Sequence, residues 1–162
     1  MNAETRVGIG YDLHRLVPDR VLRLGTVEIP SPLGLEGHSD GDVVAHAVAD
    51  ALLGAASLGE IGIHFPPGDS RWEGVRGGTI LSAVAGLLVS AGWIVGNVDA
   101  VVIAERPRLA AHRETMIAGI ADALKVDPHR VSVKIKSNEE SDAVGRGEAI
   151  AAHAVALIRR IA

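Results

Sequence analysis

Only four of the 162 residues are aromatic (two Trp, one Tyr, one Phe), although 48% of the chain is hydrophobic. A core built from this sequence must therefore be filled by Ala, Val, Leu and Ile. Small side chains let helices lie close against a sheet. They also remove less apolar area from water per contact, and so contribute less stability each. The length suits one domain with a core of its own. A thin aliphatic core also leads us to expect that a subunit interface supplies part of the stability.

A net charge of −4, with no dense basic run, argues against a nucleic-acid-binding surface. The absence of cysteine excludes disulfides and thiolate metal sites, so any metal must be held by His, Asp or Glu. The uncharged run from Gly77 to Val98 is long enough to span a bilayer. Gly86, Gly92, Gly96 and two serines interrupt it, and it reads as a buried helix followed by a strand. No membrane association is expected. The opening Met1-Asn-Ala-Glu-Thr-Arg6 lacks a basic-then-apolar leader, which makes the cytoplasm the expected compartment.

Alternation predicts a strand over Val7–Leu13, then two short strands, Val21–Leu24 and Thr26–Ile29, turning at Gly25. Leu33–Gly41 reads as a Gly-rich loop, and Asp42–Ser57 has helical apolar spacing with Asp40 or Asp42 available as N-cap. Gly59–Gly78 is a long polar loop, of the kind that in a compact domain is usually functional. Beyond it the pattern predicts a helix over Thr79–Ala91, a strand over Trp93–Ala104, a helix over Leu109–Leu124, a strand over Val131–Lys136 and a final helix over Ala149–Ile161. No repeat or linker breaks residues 1–162. The expected fold class is α+β, a single domain with helices packed on one face of a mixed sheet.

Two constellations carry chemistry. In Asp12-Leu13-His14, residues two apart on a strand face the same way and can reach one ion, although an Asp-x-His also arises by chance in chains of this size. In Gly37-His38-Ser39-Asp40-Gly41-Asp42, a polar loop feeds a helix N-terminus with free N–H groups, and His46 follows one turn later. His46 shares a face with Asp42 and Asp50, either of which would orient its ring. The same residues also fit plain helix capping beside a packed histidine. Taken together, Asp12, His14 and His46 form an N/N/O set of the size a catalytic zinc uses, with its fourth position open.

The blocks Gly8-x-Gly10-Tyr-Asp12-x-His14, Gly37-His-Ser-Asp-Gly-Asp-Val-x-x-His46, Leu58-Gly-Glu-Ile-Gly62-x-x-Phe65-Pro66, Gly96-Asn-Val-Asp99, Ala104-x-x-Pro107-Arg108 and Gly145-Arg-Gly-Glu148 resemble, in order and over nearly the whole chain, the 2-C-methyl-D-erythritol 2,4-cyclodiphosphate synthase family. The resemblance implies zinc on Asp12, His14 and His46, with the substrate's β-phosphate as fourth ligand. It implies magnesium or manganese on Glu139, bridging the α- and β-phosphates. His38 and Ser137 become the candidate catalytic side chains, with His38 and Ser39 near the 2-phosphate. Glu60, Ile61, Gly62, Phe65 and Asp69 would cover the methylerythritol. Ala104, Pro107, Arg108, Leu109 and Ala110, with Lys136, Ser137, Asn138 and Glu139, would hold the cytidine and its diphosphate. A homotrimer with active sites between subunits is implied too, with Arg146 and Glu148 near a central cavity that takes isoprenoid-like ligands.

The implied reaction is internal: the 2-phosphate attacks the β-phosphorus and expels CMP, which asks for positioning and charge neutralisation. Several positions depart from the family pattern. Glu60 stands for Asp, Pro67-Gly68 for Asp-Thr, Arg108 for Lys, Lys136 for Thr, and Ala143 for an aromatic wall. Lys136 is either a solvated replacement or an added cation at the diphosphate. A non-catalytic zinc-containing trimeric paralogue that binds a phosphorylated ligand, and a zinc phosphohydrolase, are the competing readings. Retention of Ser137 and Glu139 favours the cyclising enzyme.

Overall fold

The computed structural model describes residues 4–161 of the chain. Its elements run β1 (Thr5–Val17), β2 (Leu22–Leu24), β3 (Val27–Ile29), β4 (Gly34–Leu35), α1 (Val43–Ala55), α2 (Ile61–His64), α3 (Gly77–Ser90), β5 (Trp93–Ile103), α4 (Arg113–Leu124), β6 (Val131–Lys136) and β7 (Ala149–Arg160), with short 3₁₀ turns at 70–72, 110–112 and 128–130. A five-stranded sheet has the order β4-β1-β7-β5-β6, with β5 and β6 parallel and the other pairs antiparallel. Helices α1, α3 and α4 pack on one face, so the α+β architecture with a mixed sheet is as the sequence predicts.

The last element is the clear correction. Residues 149–161 were expected to be helical, and 149–160 form the central strand instead. Alanine favours helices, and this alanine-rich strand, buried all along its face toward α1, reads as a nearly continuous apolar run. The side chains of Ile150, Ala152, Ala154, Ala156 and Ile158 face α1 and its neighbours and are buried. The alanines there answer a packing demand. Gly10 pairs with Ala154 and Gly8 with Ala156, which makes a floor almost free of side chains under α1. A Cβ on Gly10 would lie 1.9 Å from the carbonyl oxygen of Ala47, and one on Gly8 the same distance from that of Ala51. Helix and sheet meet here at backbone contact, which the aromatic-poor composition permits.

Smaller differences are shifts of boundary. β1 is longer than expected, the loop before α1 contributes the two-residue β4, and α2 interrupts the 59–78 loop. The segment expected as a helix from 109 begins as a 3₁₀ turn, with α4 starting at Arg113. The uncharged run does split into α3 and β5, turning at Gly92 with φ +82°. Among the described residues no helix is long and apolar enough to cross a membrane.

Helix α1 is buried nearly all round, between the sheet and α3. Its start is fixed by Asp42, whose carboxylate accepts from Ala45 N (3.0 Å), Gly25 N (2.8 Å) and Thr26 N (2.7 Å). That one side chain ties the helix N-terminus to the β2–β3 turn and holds Thr26 at φ +72°. The opposite face of the sheet has no cover within the chain. Val7, Ile9, Tyr11, Leu13 and Val155 stand there 40–72% exposed, a contiguous apolar row of the kind that marks an interface.

Candidate metal centre and its cleft

Strand β1 alternates, so the even-numbered Gly8, Gly10, Asp12 and His14 all turn toward α1. The glycines draw the helix in, and the two side chains after them meet His46 on its first turn. Asp12 Oδ2 lies 3.1 Å from His14 Nε2 and 2.8 Å from His46 Nδ1. The three ligand atoms fall within 4.8 Å of one another and can hold a metal ion. A tetrahedral zinc with bonds of about 2.0–2.1 Å would space its ligand atoms roughly 3.3 Å apart, so small adjustments bring this set to bonding geometry. The donors are two nitrogens and one oxygen, without thiolate, a three-ligand set that would leave a bound zinc one position for water or substrate.

The electrostatics suit a cation. Burial raises the Asp12 pKa, but hydrogen bonds from His14 and His46 outweigh it and hold the carboxylate far below its usual range. Burial lowers the His46 pKa, while the hydrogen bond and charge of Asp12, with Asp42 and Asp40 beyond, overcome it and raise the value. Both shifts favour positive charge between these side chains, the place a divalent ion would occupy.

The orientation of His46 differs from expectation. Asp42 is spent on capping, and Asp50 accepts from Ile61 N at 2.8 Å, which anchors α2. Neither orients the ring. Instead His46 Nε2 meets Ser39 Oγ at 3.1 Å, with Asp40 Oδ1 at 4.0 Å. Asp40 is itself buried and accepts from Asp42 N and Gly77 N, clamping the starts of α1 and α3 together.

Asp12, His14, His38, Ser39, His46, Ile61, Gly62 and Phe65 line one cleft of about 330 Å³. Pro67, from the loop expected to cover the substrate, completes it together with Trp72, Val75 and Ile80, which lie outside the residues expected at the site. Trp72 packs edge-on against Phe65 at 4.9 Å; a rare tryptophan in an otherwise polar loop was the available signal. Glu60 flanks the cleft at the start of α2, and Asp69 receives His38 Nε2 on its carbonyl oxygen at 3.3 Å while its carboxylate binds Arg71.

The second expected group lies elsewhere on the chain. Residues 104–110 and 136–139 leave the adjacent ends of β5 and β6, with Ala104 N donating to Lys136 O at 3.0 Å. Ser137 Oγ donates to Glu105 Oε2 at 2.5 Å and accepts from Glu139 N at 2.9 Å. Leu109 is buried, while Arg108 and Ala110 are exposed. Asn138 donates to Asp142, and Arg146 pairs with Glu148 at 2.8 Å beyond the half-buried Ala143. None of these residues lines the metal cleft of the same chain.

Comparison with known proteins agrees along nearly the whole length. The family model described as the YgbB family matches residues 5–159. A 2-C-methyl-D-erythritol 2,4-cyclodiphosphate synthase of Nostoc sp. is 51% identical over 158 residues, covering 98% of this chain and 96% of the relative. The protein of the same name from Symbiobacterium thermophilum is 55% identical over 152 residues, covering 94% and 97%. A solved structure of a synthase of that name, in a CDP-bound form, superposes with a TM-score of 0.86 at 36% identity, covering 94% of this chain and 99% of that one.

Proposed function

The chain belongs to the YgbB family, and from that premise we propose that it converts 4-diphosphocytidyl-2-C-methyl-D-erythritol 2-phosphate into 2-C-methyl-D-erythritol 2,4-cyclodiphosphate and CMP. This is a phosphorus–oxygen lyase reaction of non-mevalonate isoprenoid precursor synthesis. The observation that carries the reading is the Asp12–His14–His46 centre at one end of a cleft sized for a small phosphorylated polyol, in a chain about half identical to named synthases.

In the reaction an oxygen of the 2-phosphate bonds to the β-phosphorus. The bond from that phosphorus to the bridging oxygen breaks, and CMP leaves with its electron pair. No water is consumed. The nucleophile is a phosphate monoester with a second pKa of about 6, so it is largely dianionic at neutral pH and needs no strong base. The difficulty is to align two groups that repel each other. Asp12, His14 and His46 would hold zinc and Glu139 would hold magnesium or manganese, ions that would supply positive charge to the phosphate oxygens. His38 and Ser39 donate hydrogen bonds at the 2-phosphate end. Ile61, Phe65, Trp72 and Ile80 wall the carbon chain and exclude water, and holding that chain folded removes much of the entropic barrier.

The cytidine end belongs to residues 104–110, with Lys136, Ser137 and Asn138. Because these residues lie outside the cleft of their own chain, we assign the complete site to a subunit boundary in a symmetric trimer built on the open apolar sheet face. Arg146 and Glu148 lie near its axis, at a cavity for an isoprenoid-like ligand, and the protein acts in the cytoplasm. Incubation with the substrate should release CMP. His46→Ala should abolish both CMP release and zinc binding while leaving the circular dichroism spectrum intact. Zinc retained at full stoichiometry in that variant contradicts the assignment.

A further inference from the structure

Parallel pairing of β5 and β6 ends with Ile103 opposite Lys136 and is extended by the Ala104–Lys136 hydrogen bond. Glu105 and Ser137 therefore leave the two strands side by side, though 32 residues apart in sequence. Glu105 is half-buried, and Ser137 is its only side-chain hydrogen-bond partner among the described residues. A serine hydroxyl has one proton. Here that proton goes to Glu105 Oε2, which turns a lone pair of Ser137 toward the N–H of Glu139. The turn beyond is an unfavourable one: Glu139 and Glu140 stand at φ +51° and +63°, a left-handed conformation that residues with a Cβ adopt only when held. Three hydrogen bonds hold it: Glu139 N to Ser137 Oγ, Ser141 N to Asn138 O at 3.0 Å, and Asn138 Nδ2 to Asp142 Oδ2 at 2.8 Å.

We propose that Glu105 is a positioning residue: by fixing the Ser137 hydroxyl it sets the turn that presents Glu139, and through it the grip on a divalent cation and the substrate diphosphate. This rests on the reading that Ser137 and Glu139 face that diphosphate. A carboxylate that merely neighboured the site would act in the opposite direction. It would repel the diphosphate, and its removal would tighten binding.

The test compares Glu105→Ala and Glu105→Gln in the CMP-release assay, with manganese as the titrated cation. Glu105→Ala should raise both KM and the half-saturating manganese concentration about tenfold, the loss expected for one charge-assisted hydrogen bond, with little change in kcat. Glu105→Gln, which still accepts from the hydroxyl, should restore most of it. Combining Glu105→Ala with Ser137→Ala should add little to the effect of the serine change alone. In the free protein the Glu139 amide should exchange its proton faster in Glu105→Ala than in the parent. A KM unchanged or lowered in Glu105→Ala, or an unchanged Glu139 amide exchange, overturns the proposal. Should the parent protein release no CMP, the functional reading falls, and the amide exchange alone decides the role of Glu105.

Discussion

Replacing Gly10 by alanine puts the link between composition and metal chemistry under direct strain. The added Cβ would sit 1.9 Å from Ala47 O and 2.8 Å from both Ala47 C and Ala51 N, all backbone atoms of α1 that cannot swing aside. Non-bonded carbon and oxygen need about 3 Å or more, so β1 and α1 must part by roughly 1 Å. Overpacking of this kind costs about 1–3 kcal/mol, and contact with rigid backbone puts it near the top of that range. For a chain of this size about 3 kcal/mol corresponds to a fall of roughly 6–12 °C in Tm. The same separation acts on the metal centre. Asp12 lies two residues beyond Gly10 and His46 immediately precedes Ala47, so their 2.8 Å approach opens with it. Zinc affinity should fall about 10- to 100-fold, as it does when support for a metal ligand is disturbed. Thermal unfolding at fixed protein concentration and competition with a chromophoric chelator measure the two effects. Gly54→Ala is the control. It lies exposed on the same helix, its Cβ would meet nothing within 4 Å, and helix propensity should stabilise it by about 0.5–1 kcal/mol. Gly10→Ala with the parent's Tm and zinc affinity would refute the close-packing argument.

Three further outcomes follow from the structure. Ile9→Asp changes a side chain that is 72% exposed in the single chain; sedimentation should show a trimer for the parent and a smaller species for the variant, whereas a monomeric parent would contradict the assembly. Asp142 has its pKa lowered chiefly by the Gly145 N–H, with the Asn138 amide adding to it, so its hold on the 138–145 turn is present above the ordinary value of 3.8 and is lost as pH falls through its lower folded value. Amide shifts of Gly145 should therefore stay flat at neutral pH and move only under acid conditions; a transition near pH 6 would contradict this. Lys136→Thr removes a cation from the β6 end and should weaken substrate binding at low magnesium more than at saturating magnesium, an effect that salt reduces. A binding constant unchanged across the magnesium range would leave Lys136 without a role.

How far the sequence carried the reading depended on the range of the interactions. Asp12 and His14 were legible because strand alternation is a two-residue rule, and His46 because one helical turn separates it from its cap. The three meet because glycines at 8 and 10 face alanines at 47 and 51, a pattern visible once small residues are read as a packing surface. The final strand was misread because alanine's helical preference is a local property. The demand for small side chains under α1 comes from elements about a hundred residues away in sequence. Glu105 escaped for the same reason: its partner arrives through strand pairing, and only the β5–β6 register reveals it. The orienter of His46 was missed because Asp42 and Asp50 have nearer obligations to backbone N–H groups.

The proposed function is that this chain joins two phosphates of one molecule and uses no water in doing so. Running the reaction in water enriched in oxygen-18 and reading the products by phosphorus NMR and mass spectrometry tests that claim directly. Cyclisation predicts CMP and a cyclic diphosphate, both free of oxygen-18, in equal amounts. An open-chain product, or oxygen-18 incorporated into either phosphate, would show hydrolysis and contradict it.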